Sequence, residues 1–174
     1  RASPLYRAQA ETLDNLEASG PARTAFALDL PLKDGQPARV SGSVELAGAR
    51  LVEKRWELAF DGVHGQVRYD GDGFSARALS VAYEGPPGVL ELRAGPGHVR
   101  DPAHAFEAGL GAGMDAARLL ARAPELGWLR PYIHGRSHWN LGLTVPATAV
   151  AGAPAARLRL DSDLDGTALD LPAP

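Results

Sequence analysis

From Arg23 onward, apolar side chains recur at every second position in short runs, and Gly, Pro and Asp cut the runs apart. A period of two sends successive side chains to opposite faces of a strand, so each run offers one apolar face and one polar or small face. Phe26, Leu28 and Leu30 alternate with Ala25, Ala27 and Asp29. Val40, Val44 and Leu46 follow, with Gly42 in register and Leu51 beyond Gly48; Trp56, Leu58 and Phe60 then alternate with Arg55, Glu57 and Ala59. Val63, Gly65, Val67 and Tyr69 hold one parity, and Leu79, Val81 and Tyr83, then Leu90, Leu92 and Ala94, repeat the pattern. Near the end come Trp139, Leu141, Leu143 and Val145, then Leu158 and Leu160, then Leu169 and Leu171. Between the runs, Lys33-Asp34-Gly35, Asp61-Gly62, Asp70-Gly71-Asp72-Gly73 and Gly85-Pro86-Pro87-Gly88 read as turns. With 20 Gly and 14 Pro in 174 residues, against about 12% for the two in an average protein, long helices cannot dominate.

Two stretches depart from the alternation. Leu5, Ala8, Leu13 and Leu16 predict a short, weakly amphipathic helix over 5–18, closed by Gly20-Pro21. Asp101-Pro102 resembles an N-cap with Pro at the first helical position. Phe106, Leu110, Met114, Ala117, Leu120 and Ala121 keep three- and four-residue steps, which predicts a helix over 103–122. Gly109, Gly111 and Gly113 each weaken it by up to about 1 kcal/mol. Pro124 opens a second helical stretch through Trp128, Leu129 and Ile133, closed by Gly135. The fold class is therefore mainly β (α+β): a short N-terminal helix, about six antiparallel strands, a helical insert near 102–134, and about three further strands. Residues 1–174 read as a single β-rich segment. The opening Arg1-Ala2-Ser3-Pro4 and the closing Leu171-Pro172-Ala173-Pro174 read as cuts within a longer protein.

Composition excludes some functions. A net charge of −3 leaves no electrostatic footprint for nucleic acid. The absence of Cys excludes a thiol nucleophile, a thiolate metal site and a disulfide framework. Asp161-Ser162-Asp163-Leu164-Asp165-Gly166 begins like a calcium loop, but Pro172 stands where the twelfth-position Glu belongs, so a strand end and turn is the better reading. His134 and His138 are four apart, yet Gly135 replaces the Glu of the zinc-protease pattern. Gly109, Gly111 and Gly113 form no dinucleotide fingerprint, and turn chemistry accounts for Asp70 and Asp72. Nothing points to an enzyme, a metal or a cofactor.

One-sided strands must cover their apolar face with something. A second sheet would close a sandwich, giving a scaffolding or protein-interaction module. Alternatively the sheet curls around the helical insert at one point and leaves the rest of its apolar face as an open trough suited to acyl chains, since a large exposed apolar patch marks a binding surface. Periodicity alone does not choose between them.

Several strings, in order, carry a family likeness: Ser3-Pro4-Leu5, Ala18-Ser19-Gly20-Pro21 and Leu28-Asp29-Leu30-Pro31-Leu32; then Gly62-Val63-His64-Gly65, Tyr69 and Gly71-Asp72-Gly73-Phe74-Ser75-Ala76; then Gly135-Arg136-Ser137-His138-Trp139, Ser162-Asp163-Leu164-Asp165-Gly166 and Leu169-Asp170-Leu171-Pro172-Ala173-Pro174. Together they resemble the AsmA-like envelope-spanning family, in particular its YhdP branch. The resemblance implies a non-enzymatic, periplasmic segment of a parent anchored in the bacterial inner membrane. It implies repeated β-units forming an open apolar groove that conducts phospholipid between inner and outer membranes. The implied partners are phospholipid acyl chains, neighbouring β-units of the same chain and other envelope proteins. The groove candidates are Phe26, Leu28, Leu30, Val44, Leu46, Trp56, Leu58, Phe60, Leu90, Leu92, Trp139, Leu141 and Leu143.

Overall fold

A computed structural model of the protein describes residues 14–31, 38–54, 58–121, 124–148 and 155–171. The alternating runs become strands β1 (Leu16–Ser19), β2 (Ala22–Asp29), β3 (Arg39–Glu53), β4 (Leu58–Asp70), β5 (Phe74–Tyr83) and β6 (Pro87–Ala94). They continue as β7 (His104–Asp115), β8 (Ile133–Pro146), β9 (Arg157–Ser162) and β10 (Thr167–Leu169). Between β7 and β8 lie a short helix α1 (Ala116–Leu120) and a 3-10 turn (Pro124–Leu129). All ten strands belong to one sheet, in which β3 to β8 form an antiparallel meander in sequence order. Both margins are built in two pieces. β1 and β2 lie end to end along β3, and β9 and β10 end to end along β8.

The sheet is unclosed and curled. A flat single sheet would leave its apolar face in water, yet Leu79 and Val63 are fully buried and sixteen residues from Leu46 to Met114 form one core cluster. Curling is what covers them, because it brings the face onto itself. Phe60 and Tyr83 pack within the cluster with ring centroids 5.6 Å apart. The sandwich alternative is not the fold, since the described residues contain no second sheet to lay over the first.

Local chemistry explains the connections. At the β4–β5 turn the Asp70 carboxylate accepts the Asp72 and Gly73 N–H groups at 2.9 and 3.1 Å, as an Asx turn does. Gly73 is obligatory here: a Cβ would lie 2.0 Å from the Ala94 carbonyl oxygen. Asp61-Gly62, expected to turn, instead lies inside β4. The pairing shifts register between Ala47 and Leu51 of β3, and the positive φ values of Gly48 and Gly62 are spent on this bulge. The expected Lys33-Asp34-Gly35 turn lies outside the described residues.

Two helical expectations are corrected. Residues 5–13 of the N-terminal helix lie outside the described residues, and Leu16–Ser19 is strand β1 rather than the end of a helix. More consequentially, His104–Asp115 is a central strand paired on both sides, not a helix. The spacing of four between Phe106, Leu110 and Met114 is common to both periods. Ala108 and Ala112 fill the intermediate positions of a strand, while Glu107, Gly109, Gly111 and Gly113 take the other face. Asp101 caps no helix: its carboxylate accepts the Ala103 N–H at 2.9 Å in a turn before β7. The real N-cap is Asp115, which accepts the Arg118 N–H at 3.0 Å and starts the short α1.

Candidate functional site

Cross-strand partners share a face, so the register traces the apolar side of the sheet from margin to margin. Phe26 stands opposite Gly42, then Tyr69, Phe74, Ala94, Phe106 and Val145. A parallel row runs from Leu79 through Leu90, Leu110 and Leu141 to Leu160, and another from Ala76 through Leu92, Ala108 and Leu143 to Leu158. This inner face is dry at its centre and bare at both margins. Phe26, Leu28 and Leu30 are 73%, 50% and 67% exposed on one side, and Leu158, Leu160 and Leu169 are 60%, 41% and 52% exposed on the other.

The thirteen residues singled out by alternation therefore divide into different environments. Leu46, Phe60, Leu90 and Leu92 are buried in the cluster; Val44, Leu58, Trp139 and Leu141 are half-buried against it. Leu143 is half-buried near the β9 margin. Phe26, Leu28 and Leu30 stand open to solvent. Trp56 lies outside the described residues. Sequence reasoning leaves out the second lip. Leu158 and Leu160 carry the same alternation, but only their pairing with Leu143 and Leu141 puts them on this face. It also leaves out Phe106, Leu110 and Met114, whose spacing predicts a helix.

At the end of the inner face near Tyr83 and Met114, α1 lies across the strands, and its Leu119 packs against the core. Trp128, in the 3-10 turn that touches α1, is 63% exposed rather than packed on the sheet. Within the face, the Trp139 indole N–H is buried with no hydrogen-bond partner among the described residues, which costs about 1–3 kcal/mol relative to a satisfied group.

The opposite face carries the charges. A depression of about 360 Å³ there is floored by Gly109 and Gly142 and edged by Glu91, Arg93, Arg100, Glu107, Arg159 and Asp161. Each arginine in it already faces a carboxylate: Arg93 and Arg100 meet Glu91, and Arg159 meets Asp161 at 2.8 Å. The site thus holds no surplus of one charge. Glu107 accepts the Arg100 and Asp101 N–H groups at 2.9 and 3.0 Å and the His104 Nδ1–H at 2.8 Å. Burial pushes its pKa up, but these bonds outweigh that and hold it below the ordinary value. Asp70 behaves alike: burial raises its pKa, and the Asp72 N–H, His98 at 3.0 Å and the Gly73 N–H together bring it below the usual range. Both carboxylates fix loops, the turn after β4 and the segment before β7.

The weighed motifs fall where their chemistry is conformational. Asp163 accepts the Asp165 N–H at 3.0 Å in the turn joining β9 to β10, where Leu164 takes a positive φ. His134 and His138 are exposed on β8, and four strand residues separate them by about 13 Å. Among the described residues, no group of three or more His, Asp or Glu is placed to hold a metal ion, and no helix is long and apolar enough to cross a membrane.

The class is thus a curled, unclosed antiparallel β-sheet with a self-packed apolar centre and two exposed apolar margins. The family model described as YhdP protein matches residues 1–174, and the chain belongs to the YhdP family. No curated protein and no solved structure matches it.

Proposed function

We propose that this chain is a non-enzymatic segment of a periplasmic, inner-membrane-anchored protein that conducts phospholipid between the two bacterial membranes, with acyl chains lying along its apolar inner face. Membership of the YhdP family supports the setting. The observation that carries the reading is the pair of bare lips, Phe26, Leu28 and Leu30 facing water on one margin and Leu158, Leu160 and Leu169 on the other. Phe26 and Leu28 on one side, and Leu158 and Leu160 on the other, are continuous in register with the sheet that carries the buried centre. Such exposure is unfavourable in a protein with nothing to put there. Removing each CH₂ of a lipid tail from water contributes about 0.8 kcal/mol, so an apolar wall lowers the barrier that water sets against a moving tail.

The reading places lipid contact at the margins rather than at the middle. Leu79, Val63 and Leu90 are occupied with one another and with their neighbours, whereas the lips have area to offer. No bond is made or broken, so no catalytic residue and no cofactor is assigned. The test is delivery in cells. Leu28→Asp and Leu160→Asp are introduced into the full-length parent, and phospholipid arrival at the outer membrane is followed. Impaired delivery by a protein that remains folded and abundant is expected. Unimpaired delivery by both variants would refute the lips as the lipid path.

A further inference from the structure

One polar group on the apolar inner face lacks its complement among the described residues: the buried indole N–H of Trp139. Trp139 stands between Ala112 of β7 and Ser162 of β9. On β8, Ser137 lies two residues before it and Leu141 two residues after it, on the same face. An indole N–H only donates, so what is missing is an acceptor. The hydroxyls beside it in register are engaged elsewhere. Ser137 Oγ accepts the Thr167 hydroxyl at 2.9 Å. Ser162 Oγ donates to the His138 carbonyl at 2.7 Å and accepts the Leu164 N–H at 3.0 Å.

The surroundings select the acceptor. A buried water is held by two to four polar partners, and the hydroxyls beside Trp139 already have theirs. A phosphate calls for a cation, but Arg136, Arg157 and Arg159 alternate onto the opposite face. A neutral carbonyl needs only the one bond. Beyond Trp139 the inner face continues as the Leu141–Leu160 and Leu143–Leu158 rows, which end in the exposed Leu160 and Leu158. Successive rows lie about 7 Å apart along the strands. A molecule with a carbonyl at Trp139 and a hydrocarbon chain over these rows meets matching chemistry at each step, and an acyl ester is such a molecule.

Building on the lipid reading above, we propose that Trp139 is the residue that selects acyl esters on the inner face: its indole N–H donates to the ester carbonyl oxygen of a lipid whose tail lies over Leu141, Leu143, Leu158 and Leu160. The ring is only half-buried, and it turns toward the occupant as the bond forms. A phenylalanine would pack here without an unmatched donor, so the N–H is a cost to the unoccupied face that an ester removes. An ether-linked tail has no carbonyl and gains nothing from it.

The test compares two short-chain phosphatidylcholines of equal tail length, one diacyl and one dialkyl ether, each titrated below its micelle concentration into the 174-residue chain labelled with ¹⁵N at tryptophan. The Trp139 indole signal is the one that disappears in Trp139→Phe. The ester lipid is expected to bind about five- to tenfold more tightly than the ether lipid. It should move the Trp139 indole proton downfield, and the ether lipid should not. Trp139→Phe should bind both lipids equally, at the wild-type affinity for the ether. Wild-type affinity for the ether lipid also shows that the variant is folded. Equal affinities in the wild type, a Trp139 indole signal unmoved by bound ester, or an ester preference that survives in Trp139→Phe would each overturn the assignment while leaving the lipid path intact. Binding of neither lipid to the wild type would overturn the lipid path itself, and the role of Trp139 with it.

Discussion

Replacing Leu79 with Ala tests whether the sheet curls tightly enough to exclude water from its own centre. Leu79 is fully buried, pairs across the strand with Leu90, and lays a methyl group over Gly65: a Cβ on that glycine would lie 3.0 Å from Leu79 Cδ2. Gly65 has no side chain to swing into the space that truncation opens, so the cavity would collapse little. The cost should therefore fall in the upper part of the range for such truncations, about 3–5 kcal/mol. Phe26→Ala is the control. Full burial of a large apolar side chain is worth about 1.5–3 kcal/mol, and Phe26 is 73% exposed, so its truncation should cost under about 1 kcal/mol. Urea denaturation with an unchanged slope gives both numbers. At a slope of about 2–3 kcal/mol per molar urea, Leu79→Ala should lower the midpoint by more than about 1 M. A loss below about 1.5 kcal/mol for Leu79→Ala, or equal losses for the two variants, would mean that the centre is as open as the lips.

Other expectations follow from the same geometry. Trp139→Phe should change stability by less than about 1 kcal/mol, because the lost ring area is offset by removal of an unsatisfied buried N–H, whereas Trp139→Ala should cost about 3 kcal/mol or more; calorimetric melting separates the two. Gly73→Ala should destabilise by at least about 2 kcal/mol, since its Cβ would press on the Ala94 carbonyl and force β5 from β6; a neutral result in denaturant titration would show that the turn relaxes freely. Asp70 and Glu107 have folded-state pKa values below their unfolded ones. Their contribution is complete above the ordinary carboxylate range near pH 4 and is lost as pH falls through the depressed folded values. Asp70→Asn should flatten the acid limb of stability against pH, which unfolding titrations between pH 2 and pH 6 would reveal.

How much was legible in the chain can be read from particular residues. Alternation through Phe26-Leu28, Leu90-Leu92 and Trp139-Leu141-Leu143 assigned strands and their apolar faces correctly, because a strand's period is a local property of the backbone. Asp70-Gly71-Asp72-Gly73 announced its turn for the same reason: the carboxylate that closes it lies within the four residues. Residues 104–115 misled, since steps of four satisfy a helix and a strand alike. Only the presence of β6 and β8 on either side decided for the strand, by pairing the backbone of a glycine-rich run that would have made a poor helix.

By itself, then, the sequence determined that this is an antiparallel β-protein with one greasy side and where most of its chain reversals fall, all of which depend on neighbours a few residues apart. The tertiary structure alone decided that the strands form one sheet, that it curls instead of acquiring a second layer, and which leucines are core and which are lip. Leu90 and Leu160 look the same in the sequence. One has strands on both sides and a curl closing over it, while the other has a strand on one side only, and burial depends on how many neighbours surround a side chain, not on its spacing along the chain.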